Sequence, residues 1–136
     1  MTAGSDDHPQ NPEDCSLEDW KKVLTINLDG CFLGCKYAIE LMKKHQGSIV
    51  NVGSRSAFVG IPGAAAYASS KAAIRNHTKT VALYCAAKDY PIRCNCVHPG
   101  PTLTPIWEKM LSDPSTRNKA IESVAEAIPL KRLEKS

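Results

Sequence analysis

Residues 47–100 read GSIVNVGSRSAFVGIPGAAAYASSKAAIRNHTKTVALYCAAKDYPIRCNCVHPG, and the fold turns on how this stretch divides. The β-branched run 48–53, bounded by glycine, predicts a buried strand. Ser54 to Gly63 is small and turn-rich. From Ala64 to about Lys88 an alanine-rich helix follows, with Tyr67, Ser70, Lys71, Ile74, Val81 and Cys85 among its periodic positions. Pro91 ends it, and residues 92–98 form a second strand. Strand, helix and strand in about fifty residues make a βαβ unit, so the strands are expected parallel, joined by a right-handed crossover. The fold class is therefore α/β.

Upstream, residues 1–15 are polar and acidic, with Pro9 and Pro12, and read as a flexible lead-in. Ser16 can cap a helix, and Asp19, three residues on, fits the capping-box pattern. Leu17, Trp20, Val23, Leu24, Leu28, Cys31, Phe32, Cys35, Ala38, Ile39 and Met42 then recur at helical spacing through Lys44, before Gly47. So long an apolar face exceeds what one small sheet needs, so part of it is expected to meet a partner helix. Asn27 lies on or beside that face, where a polar amide is either a local structural feature or a functional one. Downstream of Gly100 the chain reads as loop and short helix, with a helical stretch near 116–127. Residues 16–136 are read as one domain.

The whole chain of 136 residues is 43% hydrophobic and 23% charged, the composition of a globular protein with one core. No apolar run approaches the roughly eighteen residues of a membrane span, and MTAGSDDHPQ does not resemble a secretory or transit peptide. The expected compartment is the cytoplasm. Net charge is +3, with six acids and no Lys or Arg in the first twenty residues. The bases of the remainder are scattered singly, without aromatic interleaving, which argues against nucleic acid as a partner. Six cysteines in a reducing compartment read as free thiols. Cys31 and Cys35 fall on the apolar helical face, while Cys94, Cys96 and His98 alternate along a strand. Burial accounts for both groups better than metal ligation does, so no metal site is expected.

In open parallel sheets, ligands bind beyond the carboxyl ends of the strands. Three segments converge there: Ser54 to Ser56, Tyr67 with Lys71, and Pro99 to Thr104. Tyr67 and Lys71, four apart on a helix, share a face. A free phenol ionises near pH 10, and a neighbouring cation favours phenolate. The pair is thus suited to general acid/base work, with a serine hydroxyl at hand for a developing oxyanion.

Four segments in order, TINLDGCF around Asn27, NVGS ending at Ser54, YASSK from Tyr67 to Lys71, and IRCNCVHPGPTLT, resemble the core of the short-chain dehydrogenases/reductases. The resemblance runs from about Glu13 to Arg132. It implies hydride transfer between NAD or NADP and a carbonyl or secondary alcohol, with four catalytic residues. Tyr67 would exchange the proton of the substrate oxygen, and Lys71 would hold the nicotinamide ribose and favour the phenolate. Ser54 would hydrogen-bond the substrate oxygen, and Asn27 would position a water linking Lys71 to solvent. Pro99, Gly100, Thr102 and Thr104 resemble the turn that packs on the nicotinamide, and the stretch from Thr104 to about Leu130 corresponds to the substrate loop. The HPG-x-x-x-TP pattern looks like that of hydroxysteroid and cyclic-alcohol dehydrogenases, with 3-oxoacyl reductases the nearest alternative. Ser56, Ser69 and Ser70 read as ordinary helix or turn chemistry.

The sequence also departs from the family. None of its eight glycines has the TGxxxGxG spacing that meets the cofactor pyrophosphate at a helix end. The expectation is a partial Rossmann-like doubly wound fold, parallel strands 48–53 and 92–98 flanked by long helices, without the N-terminal half of the sheet. Only the nicotinamide half of the cofactor would be contacted, and the isolated chain would bind it weakly or not at all. One sheet edge would be bare. Helices 17–44 and 64–88, which in the family commonly form the subunit interface, would pair with a second copy or with full-length relatives. The competing reading is a non-catalytic fragment that acts through that pairing alone.

Overall fold

The computed structural model describes residues 9–104 and 113–135. They fall into two compact units, 9–98 and 99–135, considered separately.

In the first unit, Asn11 closes a turn through residue 14: its Oδ1 accepts the Glu13 and Asp14 N–H groups at 2.9 and 2.8 Å. The Gln10 carbonyl accepts the Ala65 N–H at 2.8 Å. Ser16 then caps α1 (Leu17–Leu24), its Oγ accepting the Asp19 N–H at 3.0 Å and donating to the Asp19 carboxylate at 2.7 Å. This satisfies an orphan amide and sets negative charge at the helix's positive end. The long helix expected as one element is interrupted. A π-helical turn, Thr25–Asp29, separates α1 from α2 (Gly30–Met42). Such a turn lets one extra residue into the helix, a distortion that periodicity cannot register and that often marks functional sites.

Strand β1 (Gly47–Val52) pairs in parallel with β2 (Ile92–Val97), from Gly47 opposite Ile92 to Val52 opposite Val97. The crossover is α3 (Ala65–Ala87). Its end precedes Pro91: Asp89 takes a left-handed φ of 53°, a conformation aspartate tolerates, and turns the chain toward β2. Alternation along both strands directs Ile49, Asn51, Ile92 and Cys94 inward. With Cys35, Val81 and Cys85 from the helices, Ile49, Ile92 and Cys94 form the core, and Cys31, Ala38, Ile39, Met42 and Tyr90 pack around it. The expectation of a buried strand therefore holds for one face only. On the other, Val50 and Val52 are 57% and 59% exposed. Period-two geometry sends alternate side chains to opposite faces, and here the helices pack on one of them.

In the second unit, β3 (Thr102–Leu103) pairs in parallel with β4 (Glu134–Lys135) around α4 (Pro114–Glu126). Asp113 caps α4, its carboxylate accepting the Thr116 N–H at 3.0 Å and the Thr116 hydroxyl at 2.6 Å. Pro114 occupies the first helical position, where no amide hydrogen is needed. No described helix is long and apolar enough to cross a membrane.

Candidate active site

Tyr67 and Lys71 lie one turn apart near the start of α3, and the Lys71 ammonium stands 5.8 Å from the centroid of the Tyr67 ring. Both side chains are half-buried, so neither is sealed beneath hydrocarbon. The ammonium donates to the Val52 carbonyl at 2.8 Å, which ties α3 to the last residue of β1. An ammonium has three donors, and this bond uses one of them.

Ser54 follows two residues later. Its backbone is extended, and its Oγ accepts the Ser56 N–H at 3.2 Å and the Ser56 hydroxyl at 2.8 Å. A hydroxyl oxygen has two acceptor positions and one donor hydrogen. The Ser56 N–H occupies one acceptor position of the Ser54 oxygen, and in the bond between the two hydroxyls either can donate, so the Ser54 hydrogen is available to a substrate when Ser56 donates. Ser56, read from the sequence as turn chemistry, is buried at 4% exposure and holds the Ser54 hydroxyl from that side.

Asn27 sits within the π turn, and its Nδ2 donates to Ser70 Oγ at 3.0 Å. Ser70 in turn donates to the Tyr67 carbonyl at 2.7 Å. The distorted helix is thereby tied to the backbone that carries the phenol. Ser70 too was read as plain helix chemistry, yet it is completely buried. A second buried network lies deeper, where Asn51 donates to Thr78 Oγ1 at 2.9 Å and meets the Cys35 and Cys94 sulfurs. Burial pushes the Cys31 thiol up to about 11 and that of Cys94 to about 12, so both stay protonated near neutrality. The same cause raises Cys85. All six cysteines are free, and no group of three or more His, Cys, Asp or Glu among the described residues is placed to hold a metal ion.

Asn27, Ser54, Tyr67 and Lys71 all belong to the first unit. Pro99, Gly100, Thr102 and Thr104 belong to the second, where the Thr102 hydroxyl donates to the Gly100 carbonyl at 3.3 Å. Residues 105–112 of the expected substrate loop lie outside the described residues.

Comparison with known proteins gives the family. The family profile described as "Enoyl-(Acyl carrier protein) reductase" matches residues 2–136. An NADP-dependent (R)-specific alcohol dehydrogenase of Lentilactobacillus kefiri is 47% identical over 100 residues, covering 72% of this chain and 40% of that protein. A cyclopentanol dehydrogenase of Comamonas testosteroni is 45% identical over 105 residues, covering 76% and 41%. Among solved structures, the ligand-free aldohexose dehydrogenase of Thermoplasma acidophilum superposes with a TM-score of 0.81 at 32% identity, covering 93% of this chain and 51% of that one. The chain belongs to the short-chain dehydrogenase/reductase family of NAD(P)-dependent oxidoreductases, and its α/β fold is the Rossmann type of that family. It spans about 40% of the length of the curated relatives named and about half of the solved chain.

Proposed function

We propose that the chain carries the catalytic half of an oxidoreductase that interconverts a secondary alcohol and a carbonyl, with Tyr67 as the general acid/base. The observation that carries this reading is the Tyr67–Lys71 pair, half-buried and on one face of α3, with the ammonium tied to the strand end that leads into Ser54. In the direction of reduction, Tyr67 gives its phenolic proton to the substrate oxygen. Lys71 favours the negative charge left on the phenol oxygen. Ser54, whose hydroxyl accepts twice from Ser56, donates its hydrogen to the same substrate oxygen and lowers the barrier as charge develops there. Asn27, anchored through Ser70, holds a water on the path from Lys71 to solvent.

The residues present suit the nicotinamide end of a coenzyme. Lys71 has donors beyond the one it gives to Val52, enough to engage a ribose. Pro99, Gly100, Thr102 and Thr104 are assigned to the carboxamide side by their motif. When bound, the nicotinamide supplies the hydride in reduction and accepts it in oxidation. No Gly-rich turn for the pyrophosphate is in the sequence, so this chain's contribution is to the nicotinamide half. NAD and NADP both remain within the reading. The names of the relatives favour a small or cyclic secondary alcohol as substrate.

Pairing through helices 17–44 and 64–88 belongs to the same proposal. An open groove between α2 and α3, lined by Phe32, Ile39, His77, Val81, Tyr84 and Tyr90, and the exposed Leu41 and Leu83 favour it. They equally support the second reading, a non-catalytic fragment that pairs with full-length relatives. Six free thiols suit a reducing, cytoplasmic setting.

One experiment separates the readings. The purified chain, alone and mixed with a full-length relative whose own catalytic tyrosine is replaced by phenylalanine, is assayed with NADP, NAD and cyclopentanol. Turnover lost in Tyr67→Phe, with circular dichroism unchanged, supports catalysis. Turnover unaffected by Tyr67→Phe removes Tyr67 from the mechanism. Absence of turnover together with a mixed species in sedimentation supports the fragment reading.

A further inference from the structure

Ser54 is gripped at its backbone by a side chain that the proposed reaction does not use. His98 follows β2 directly, and its imidazole reaches back to the end of β1. Its Nδ1 lies 3.3 Å from the Ser54 nitrogen, in line to accept that N–H, and 3.1 Å from the Ser54 carbonyl oxygen. One ring nitrogen therefore faces both polar groups of the same residue. With the ring proton on Nε2, Nδ1 accepts from the amide; with a proton on Nδ1, it donates to the carbonyl. In either form a peptide group of Ser54 is held. The carbonyl also accepts the Ala57 N–H at 3.0 Å, which leaves its second lone pair for the imidazole.

Three further features fix the ring. Phe58 packs edge-on against it, with centroids 4.7 Å apart at an interplanar angle of 72°. The Arg75 guanidinium lies over the Phe58 ring, 4.2 Å from its centroid, and links this stack to α3. Gly53 leaves the space that the imidazole fills. A Cβ there would overlap Nδ1, come within 2.6 Å of Cε1 and within 3.0 Å of Cys96 Sγ.

We propose that His98 is a positioning residue for the reaction: by holding the Ser54 peptide groups at the end of β1, it keeps the Ser54 hydroxyl where it can donate to the substrate oxygen. This rests on the reading of Ser54 given above. Ser54 stands at the junction of a strand and a 3-10 turn, Arg55–Ala57, where the regular ladder no longer holds the chain. Ser56 holds the hydroxyl oxygen, and His98 sets the place of the backbone from which it projects. An error of about 1 Å in such a group lowers rate by about a hundredfold, so a backbone grip here bears on rate more than on stability.

The test uses the isotope-labelled 136-residue chain. In the native protein the His98 ring nitrogens report one dominant proton arrangement by long-range proton–nitrogen correlation. His98→Ala shifts and broadens the backbone signals of Ser54 to Ala57 while those of α2 and the distal half of α3 stay in place. His98→Asn, whose amide reaches the place of Nδ1 and can donate or accept, restores them. His98→Gln, which reaches instead toward Nε2, does not. In the turnover assay, with the partner if that is needed for activity, His98→Ala lowers kcat about tenfold without changing the coenzyme KM, and His98→Asn recovers most of it. Ser54 signals unmoved by His98→Ala overturn the inference, as does equal and measurable turnover in His98→Ala and the native chain. Ser54→Ala with full turnover is a different failure: it removes the role of Ser54 while the backbone contact, read from the amide signals, stands.

Discussion

Ser70 joins the two halves of the candidate site from beneath, because its hydroxyl meets Asn27 on one side and the carbonyl of Tyr67 on the other. Ser70→Ala removes both bonds from a fully buried position, which should cost about 1–3 kcal/mol in urea unfolding. A cost near zero would mean that the two groups find other partners at once. Which side chains serve the site was only partly legible at this scale. Tyr67, Lys71 and Ser54 stand out because their types and spacing carry chemistry, whereas Asn27 is picked out only by the resemblance of its segment to the family. Ser56, Ser70 and His98 do not, because a serine in a turn or on an alanine-rich helix looks the same whether its hydroxyl faces water or a buried amide. Their signal is positional: each lies within two residues of a motif residue or at the mouth of a strand.

The elements follow the sequence closely where one interaction dominates. Glycine and β-branched residues set β1, alternation sets β2, and Ser16 with Asp19 starts α1. The π turn does not follow from pattern, because apolar spacing survives the insertion of one residue while the position of Asn27 around the helix changes. The strands make a paired prediction. Ile92, 6% exposed and in the core, should cost about 2–5 kcal/mol on substitution by alanine. Val50→Thr, on the open face, should stay within about 0.5 kcal/mol in the same denaturation assay. A Val50→Thr cost as large as that of Ile92→Ala would mean that the open face is covered in solution.

For the whole molecule, two thiols, Cys94 in the core and Cys31 partly buried against it, couple stability to alkaline pH. The folded chain holds the protons of Cys31 and Cys94 up to about 11 and about 12, whereas the unfolded chain releases them from the ordinary value of 9.0. Between these limits the unfolded state binds fewer protons, so stability is intact below about pH 9 and falls as pH rises toward 11. The urea midpoint should therefore drop over that range, and Cys94→Ala should flatten the decline; an unaltered slope would remove Cys94 from the coupling. By itself the sequence determined the α/β class, the parallel pair of strands and the four residues offered for catalysis, since helical period, strand alternation and motif spacing are local and written along the chain. Only the tertiary structure decided that one sheet face stays open, that Asn27 reaches Ser70 through a distorted turn, and that His98 closes on Ser54. Each of these joins residues more than forty positions apart or depends on which elements pack together, and no local pattern encodes a distance across the fold.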